Sequence, residues 1–387
     1  MAELTTETPG DCEIVVIGAG IVGVSIAAAL CEAGHDVAVV DAGSLVSGAT
    51  AAGEGNLMLS DKLPGPELDL ALWSLRLWAE QAPSLGAAIE FEAKGGVVVA
   101  RSDSEQTALL KVLEAQQTQG VEATPVSNTD LRELEPFLTH DVAGGVLYPG
   151  DCQIQPVLAT AALLKHHQVK LFTSHRVTTI EPRGDGLAVH LGEFTIHCDW
   201  VINAAGAWAG EIAAAAGSRL DIQPRRGRIL VTEPIGRIIR HKVYEANYVA
   251  TTQSSEGQAQ FSSVLEGTSA GTVLLGSSRE LAGFDRSVSM PDLAALARRA
   301  IDLFPCLADV RIMRTYAGFR PASPDHLPVI GPDPLLPRLI HASGHEGAGI
   351  GLAPATAQLV LHHIDGGDVP LNADAFLPAR FAGAQSS

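Results

Sequence analysis

Residues 13–41 read EIVVIGAGIVGVSIAAALCEAGHDVAVVD, and the changes of pattern inside this stretch decide the fold. Residues 13–17 are apolar without polar alternation, which predicts a parallel strand buried on both faces. Gly18-x-Gly20-x-x-Gly23 then breaks the strand, and 20–33 is small and apolar like a packed helix opened by Ile21 and Val22. Gly34 stops that helix, and 36–40 forms a second strand ending at Asp41 and Ala42. The glycines have separate physical tasks: Gly18 permits the tight bend, Gly20 lets backbone approach a pyrophosphate, and Gly23 lets the helix pack close to the strand. Asp41 lies 18 residues after Gly23, where a carboxylate accepts hydrogen bonds from ribose hydroxyls and disfavours a 2′-phosphate. A dinucleotide-binding βαβ unit is the expectation; a packed βαβ unit without ligand is the alternative.

A second glycine-rich turn, GHEGAGIG at 344–351, follows a short apolar strand at 338–342 and opens another helical run. Glycine turns near both ends imply that the first and last segments meet around one ligand. Between them the pattern predicts helices near 68–81, 104–119, 156–167, after 208 to 216, and 291–304. Strands are expected at 96–101, through 175–202 with a hairpin turn at 183–186, across 224–286, and at 311–319. Trp73 and Trp78 read as packing residues.

Composition narrows the function. The chain has 387 residues, 46% hydrophobic and 18% charged, enough for a substantial core shared by two joined domains. A formal net charge of -18 repels phosphate backbones and anionic lipid, so nucleic acid is not the expected partner. The 5 cysteines are scattered singly, with no metal-like grouping. No metal is expected, and no apolar run approaches the roughly 18 to 20 residues needed to span a bilayer. The expected location is the cytoplasm, with membrane association through partners left open.

Further motifs appear in a fixed order. Ser47-Gly48-Ala49-Thr50-Ala51-Ala52-Gly53-Glu54-Gly55-Asn56 is nearly all small, so its backbone can follow an extended ligand. Asn203-Ala204-Ala205-Gly206-Ala207-Trp208, Arg225-Arg226-Gly227, Gly318-Phe319-Arg320-Pro321, Pro324-Asp325 and Gly344-His345-x-x-x-Gly349-Ile350 follow. Together with the βαβ fingerprint these resemble the D-amino-acid oxidase superfamily, more narrowly its glycine oxidase and sarcosine oxidase branch. The Gly-Glu-Gly-Asn segment and the final motif are most similar to β subunits of heteromeric opine, D-hydroxyproline or proline dehydrogenases and to hydrogen cyanide synthase.

The resemblance implies an α/β plus α+β fold: a Rossmann-type, GR2-like FAD-binding domain with an interleaved substrate domain on a mixed, largely antiparallel sheet. The expected FAD-binding domain is discontinuous, 1–85, 145–220 and 320–387; the substrate domain takes 86–144 and 221–319. FAD would be non-covalent, since 317–323 lacks the cysteine of covalent sarcosine oxidases. Its contacts would come from Gly18, Gly20, Ile21, Val22, Gly23, Asp41, Ala42, Ser47, Ala49, Thr50, Gly53, Glu54 and Gly55. The later segments would add Val177, through backbone in a strand at 175–180, then Ala204, Ala205, Gly206, Trp208, Gly318, Gly344, His345, Gly347, Ala348, Gly349 and Ile350.

Arg320 is the expected carboxylate clamp, because its planar fork can hold a substrate carboxylate bidentately; a structural ion pair is the alternative. Relatives of the glycine oxidase type have an arginine where this chain has Gly347, so a second clamp is absent and Glu346 is expected to meet a basic part of the substrate. Tyr248, with Tyr244, is a candidate for the substrate cavity or for the core. His345 reads as a cofactor contact or a turn cap. Amides near Gly347 to Gly351 would stabilise negative charge on the reduced ring. The implied activity is hydride transfer from an amino or imino acid to FAD, in the catalytic β subunit of a heteromeric dehydrogenase. A peroxide-forming glycine or sarcosine type oxidase and a flavin-binding scaffold are the alternatives. An FMN or an iron-sulfur cluster would sit at or on a partner subunit. Arg225 and Arg226 read as a solvated basic pair or as contacts to that second flavin's phosphate.

Overall fold

The computed structural model describes residues 9–248 and 260–381. Six strands form the first sheet, in the order Val329–Pro332, Leu339–Ser343, Trp200–Asn203, Ile14–Ile17, Val37–Val40, Lys170–Phe172. The strand Ile14–Ile17 is parallel to both neighbours, pairing Ile14 with Trp200 and with Val37. Only Val329–Pro332 runs antiparallel. All four residues of Ile14–Ile17 and of Val37–Val40 are buried, as unbroken apolar strands in a covered parallel sheet should be.

The helix Ile21–Glu32 packs against the helix Gly349–Asp365, which brings the two ends of the chain together. Small residues permit the approach: Ala27 and Ala28 on one helix, Ala353 and Ala357 on the other, are all buried. Gly34 follows the first helix at φ +99°, the left-handed stop expected of it.

The second sheet has eight strands: Ile312–Ala322, Gln223–Thr232, Val273–Arg279, Gln260–Gly267, Lys242–Glu245, Gly96–Ala100, Gly144–Tyr148 and Thr124–Ser127. Its pairings are antiparallel except between Lys242–Glu245 and Gly96–Ala100, so it is mixed and largely antiparallel. The helix Met290–Leu303 covers one face and starts at Ser289, whose hydroxyl accepts the Asp292 N–H. A separate three-stranded sheet of Thr179–Arg183, Gly186–Leu191 and Phe194–Cys198 packs against the first sheet. The fold class is thus α/β plus α+β, as the sequence implies.

Several elements escaped the pattern. Lys170–Phe172 is too short to show a period, yet it is the edge of the first sheet. Gly144–Tyr148 straddles position 144/145 and Ile312–Ala322 straddles 319/320, both of them expected domain boundaries. Val177 does not lie in a strand; it precedes Thr179–Arg183 in an irregular segment. Among the described residues no helix is long and apolar enough to cross a membrane.

Candidate active site

Four parallel strands of the first sheet, Ile14–Ile17, Val37–Val40, Trp200–Asn203 and Leu339–Ser343, end along one edge. Gly18, Asp41, Ala204 and Gly344 follow immediately, which is where open α/β sheets bind ligands. A cavity of about 620 Å³ opens there and continues beneath the second sheet.

The first turn is built by close contact. Gly18 has φ +113°, and a Cβ on it would lie 2.4 Å from the Ala204 carbonyl oxygen. A Cβ on Gly23 would lie 2.0 Å from the Gly18 carbonyl oxygen, so helix and turn touch through backbone. Gly20 precedes Ile21–Glu32 without a side-chain cap, and the first helical turn carries no acid. Thr50, from the small-residue loop, accepts the Ile21 N–H at 3.1 Å. Asp41 accepts the Ala19 N–H and the Gly43 N–H, each at 2.7 Å. Those two bonds aim its carboxylate along the cavity wall.

Beside Val22, Gly349–Asp365 also starts without a side-chain cap or an acid in its first turn, so its leading amides and partial positive charge face the cavity. The preceding turn is held by the Glu346 N–H to the Pro321 oxygen at 2.9 Å and the Ala348 N–H to the His345 oxygen at 2.9 Å. Trp78 donates to the Ile350 oxygen at 2.9 Å from below, so it is a strut for this turn as well as packing. His345 pairs through Nε2 with Thr356 Oγ1 at 2.9 Å, and burial pushes its pKa down to about 4. It is neutral at physiological pH.

Arg320 enters under Gly347: a Cβ there would lie 3.5 Å from Arg320 Nε, and one on Gly227 would lie 2.1 Å from Nη1. Both glycines make room for the guanidinium. Nη1 donates to the Ser278 oxygen at 2.8 Å, and no other protein hydrogen bond or ion pair to Arg320 occurs among the described residues. Burial, and then the nearby Arg279, lower its pKa to about 10. A half-buried cation bordering a cavity without a carboxylate partner among the described residues is costly unless a ligand supplies the anion. This disfavours the structural ion pair.

Of the candidate residues, Gly18, Gly20, Ile21, Val22, Asp41, Ala42, Ser47, Ala49, Thr50, Gly53, Glu54, Val177, Ala204, Ala205, Gly206 and Trp208 line this one cavity. Tyr248, Gly318, Arg320, His345, Glu346, Gly347, Gly349 and Ile350 complete it. Gly23, Gly55, Gly344 and Ala348 do not reach its wall. Gly23 and Gly55 act by packing, since a Cβ on Gly55 would lie 1.7 Å from the Ile154 oxygen. Gly344 shapes its turn at φ +83°, and Ala348 faces a small void of about 30 Å³ behind Tyr248. The tyrosines diverge: Tyr248 is on the wall, whereas Tyr244 is fully buried behind it with ring centroids 5.0 Å apart.

Two expectations are corrected. Glu346 borders the cavity, but Oε2 accepts from Arg225 at 3.2 Å and Oε1 meets His326 Nδ1 at 2.6 Å; its carboxylate is held by the protein rather than offered to a basic substrate group. Arg225 and Arg226 are 3% and 4% exposed, not solvated. Arg226 binds Glu280 at 2.6 Å and Asp285 at 2.6 Å, so neither arginine is displayed for a second flavin's phosphate. Sequence reasoning also passed over Ser277 and Arg286, which line the cavity, and gave Phe319 no role of its own within its motif. A lone serine in a strand carries no signal of its own.

The family model described as DAO, FAD dependent oxidoreductase, matches residues 13–362. The HcnC subunit of hydrogen cyanide synthase from Pseudomonas aeruginosa is 29% identical over 330 residues, 82% of this chain and 75% of that protein. One of the subunits of opine oxidase from Rhizobium meliloti is 26% identical over 391 residues, 97% of this chain and 99% of that one. Among solved structures, glycine oxidase from Geobacillus kaustophilus superposes with a TM-score of 0.87 at 25% identity, covering 95% of this chain and 98% of that one. L-proline dehydrogenase from P. horikoshii matches with a TM-score of 0.87 at 26% identity, covering 97% and 99%.

Proposed function

The chain belongs to the DAO family of FAD-dependent oxidoreductases, and from that premise we propose that it oxidises an amino or imino acid at the carbon beside its carboxylate. The observation that carries this reading is Arg320, a cation in the cavity wall with one backbone acceptor and, among the described residues, no ion pair with a carboxylate. The substrate's carboxylate supplies that missing partner, and the bidentate grip fixes the α-carbon relative to the redox ring.

The residues fit FAD. The cavity is long, has an acid-bearing end at Asp41 and passes the leading amides of two helices. FAD, when bound, supplies the two-electron acceptor that takes hydride from the substrate. Asp41 would hold the ribose hydroxyls, Gly18, Gly20 and Ile21 the pyrophosphate, and the amides from Gly347 to Ile350 the ring edge that becomes negative on reduction. No cysteine lies in 317–323, which favours non-covalent retention. Tyr248, which lines the cavity and lies near Arg320, would present apolar ring surface to the substrate and help keep water from the reacting carbon.

The substrate class we favour is an opine, D-hydroxyproline, proline, sarcosine or glycine type acid. The chain would serve as the catalytic β subunit of a heteromeric dehydrogenase, with onward electron carriers on partner subunits; the Pseudomonas and Rhizobium relatives are themselves subunits. The likeness to glycine oxidase supports a self-sufficient oxidase as the second reading. Anaerobic mixing of the FAD-loaded chain with these acids tests both. Bleaching by one of them is expected; peroxide on admitting air would favour the oxidase. No bleaching by any acid, alone or with co-purified subunits, would overturn the catalytic reading in favour of a flavin-binding scaffold.

A further inference from the structure

One charged group on the cavity wall has no task in the scheme above. Glu54 is 8% exposed in its side chain and borders the same cavity as Arg320. Its Oε2 accepts from Lys242 Nζ at 2.7 Å and from Asn56 Nδ2 at 2.7 Å. Its Oε1 is buried with no hydrogen-bond partner among the described residues. Lys242 is shared, since its Nζ also donates to Glu266 Oε2 at 3.0 Å. Two carboxylates around one ammonium leave this buried triad one negative charge in excess. Lys94 approaches the same region, but its Nζ donates to the Gly267 oxygen at 2.6 Å and forms no ion pair among the described residues.

A buried carboxylate oxygen without a donor is unfavourable by about 1–3 kcal/mol or more, and because Glu54 lines the ligand cavity a donor from the ligand would relieve it. The backbone is shaped around it: a Cβ on Gly276 would lie 2.3 Å from Glu54 Oε1. The next residue, Ser277, is 4% exposed, lines the cavity and also has a hydroxyl without a partner among the described residues. Ser278 supplies the carbonyl that holds Arg320. One strand therefore carries the surroundings of both the free carboxylate oxygen and the free guanidinium.

We propose that Glu54 Oε1 accepts a hydrogen bond from the substrate's amine nitrogen, so that Arg320 and Glu54 bind a zwitterion at its two ends. This rests on the amino-acid reading above and sharpens it. Lys242 and Asn56 fix the carboxylate in position, Glu266 holds Lys242, and Ser277 offers a second polar atom beside the amine. Acids that lack an amine are held by Arg320 alone and leave Oε1 unmatched. The pair thus selects amino and imino acids over hydroxy acids and simple carboxylates.

The test uses FAD-loaded protein and matched probes. N-methylglycine and methoxyacetate have nearly the same shape, as do L-proline and tetrahydrofuran-2-carboxylate, and only the first of each pair carries an N–H. Affinities come from anaerobic flavin bleaching for the amines and from flavin absorbance perturbation for the ethers. The unsubstituted protein should favour an amine over its matched ether by at least about tenfold, the size of one charged hydrogen bond; no preference overturns the proposal without needing any variant. Glu54→Gln should lose about tenfold for the amine while the ether binds as well or better. An unchanged amine-to-ether ratio in Glu54→Gln, with or without loss of FAD, would assign Glu54 to the cofactor instead. If no amine binds the unsubstituted protein but FAD loads normally, the amino-acid reading itself falls and this assignment falls with it.

Discussion

Replacing Arg320 by alanine removes the group on which substrate binding depends, and its effect can be worked from the geometry. One donor is engaged by the Ser278 oxygen at 2.8 Å, and among the described residues no carboxylate hydrogen-bonds the others. Two charged hydrogen bonds to a substrate carboxylate, at about 1.5–3 kcal/mol each, give an upper range of about 3–6 kcal/mol. Arg320 is half-buried by surface exposure, so partial solvation reduces this to about 3–4 kcal/mol, which corresponds to a few hundredfold in the half-saturating concentration. Arg320→Lys keeps the charge but loses the planar fork, so a loss of about tenfold to thirtyfold is expected. The assay is anaerobic flavin bleaching against substrate concentration, with FAD content and thermal midpoint recorded for each variant. FAD retention should be unchanged, because Asp41 and the first glycine turn lie at the other end of the cavity. A half-saturating concentration for Arg320→Ala within about threefold of the unsubstituted protein, with FAD bound, would refute the carboxylate clamp. The sign of the pH effect is equally definite: with a pKa of about 10, the guanidinium is charged below that value and neutral above it. Affinity for methoxyacetate should therefore hold through neutral pH and fall as pH rises past about 10.

Asp333 accepts from Ser218 and meets His341 at 2.9 Å in a buried cluster; burial opposes ionisation, but His341 and Ser218 prevail and bring its pKa from 3.8 to about 2. Since the folded value is depressed, its contribution of about 2 kcal/mol is full above about pH 4 and vanishes as pH falls towards 2, so Asp333→Asn should lower urea stability at pH 7 and narrow the gap at pH 2. The His345 pKa is lowered from 6.5 to about 4, so the unfolded chain binds the extra proton and stability declines as pH drops through that window; His345→Gln should flatten this decline, and an identical slope in both proteins would contradict the burial argument. Gly23→Ala places a Cβ 2.0 Å from the Gly18 oxygen and should abolish FAD retention or folding, whereas Gly10→Ala, with nothing within 4 Å, should match the parent in flavin fluorescence and melting.

Legibility in the sequence followed the reach of each signal. The βαβ unit was readable because its period, glycines and terminal acid lie within 13–41 and report on local backbone. Long helices such as Pro66–Leu85 and Met290–Leu303 were readable for the same reason. Lys170–Phe172 was not, since three residues hold no period and the strand exists only because it pairs with Val37–Val40. Arg320 stood out through its motif, but whether its charge was already neutralised was a question about neighbours. Glu346 and Arg225, 121 positions apart, show the converse: each looked available to a ligand until the fold paired them at 3.2 Å.

By itself the sequence determined the two glycine turns, the acid at Asp41 and the family to which the chain belongs, because these depend on short-range backbone requirements and ordered motifs. Only the tertiary structure decided which charges are answered within the protein and which face the cavity. Glu54, Lys242 and Glu266 come from distant segments, and Arg320 forms no ion pair with a carboxylate among the described residues. Desolvation makes that difference decisive: a buried charge that the fold leaves unmatched must find its partner in a ligand.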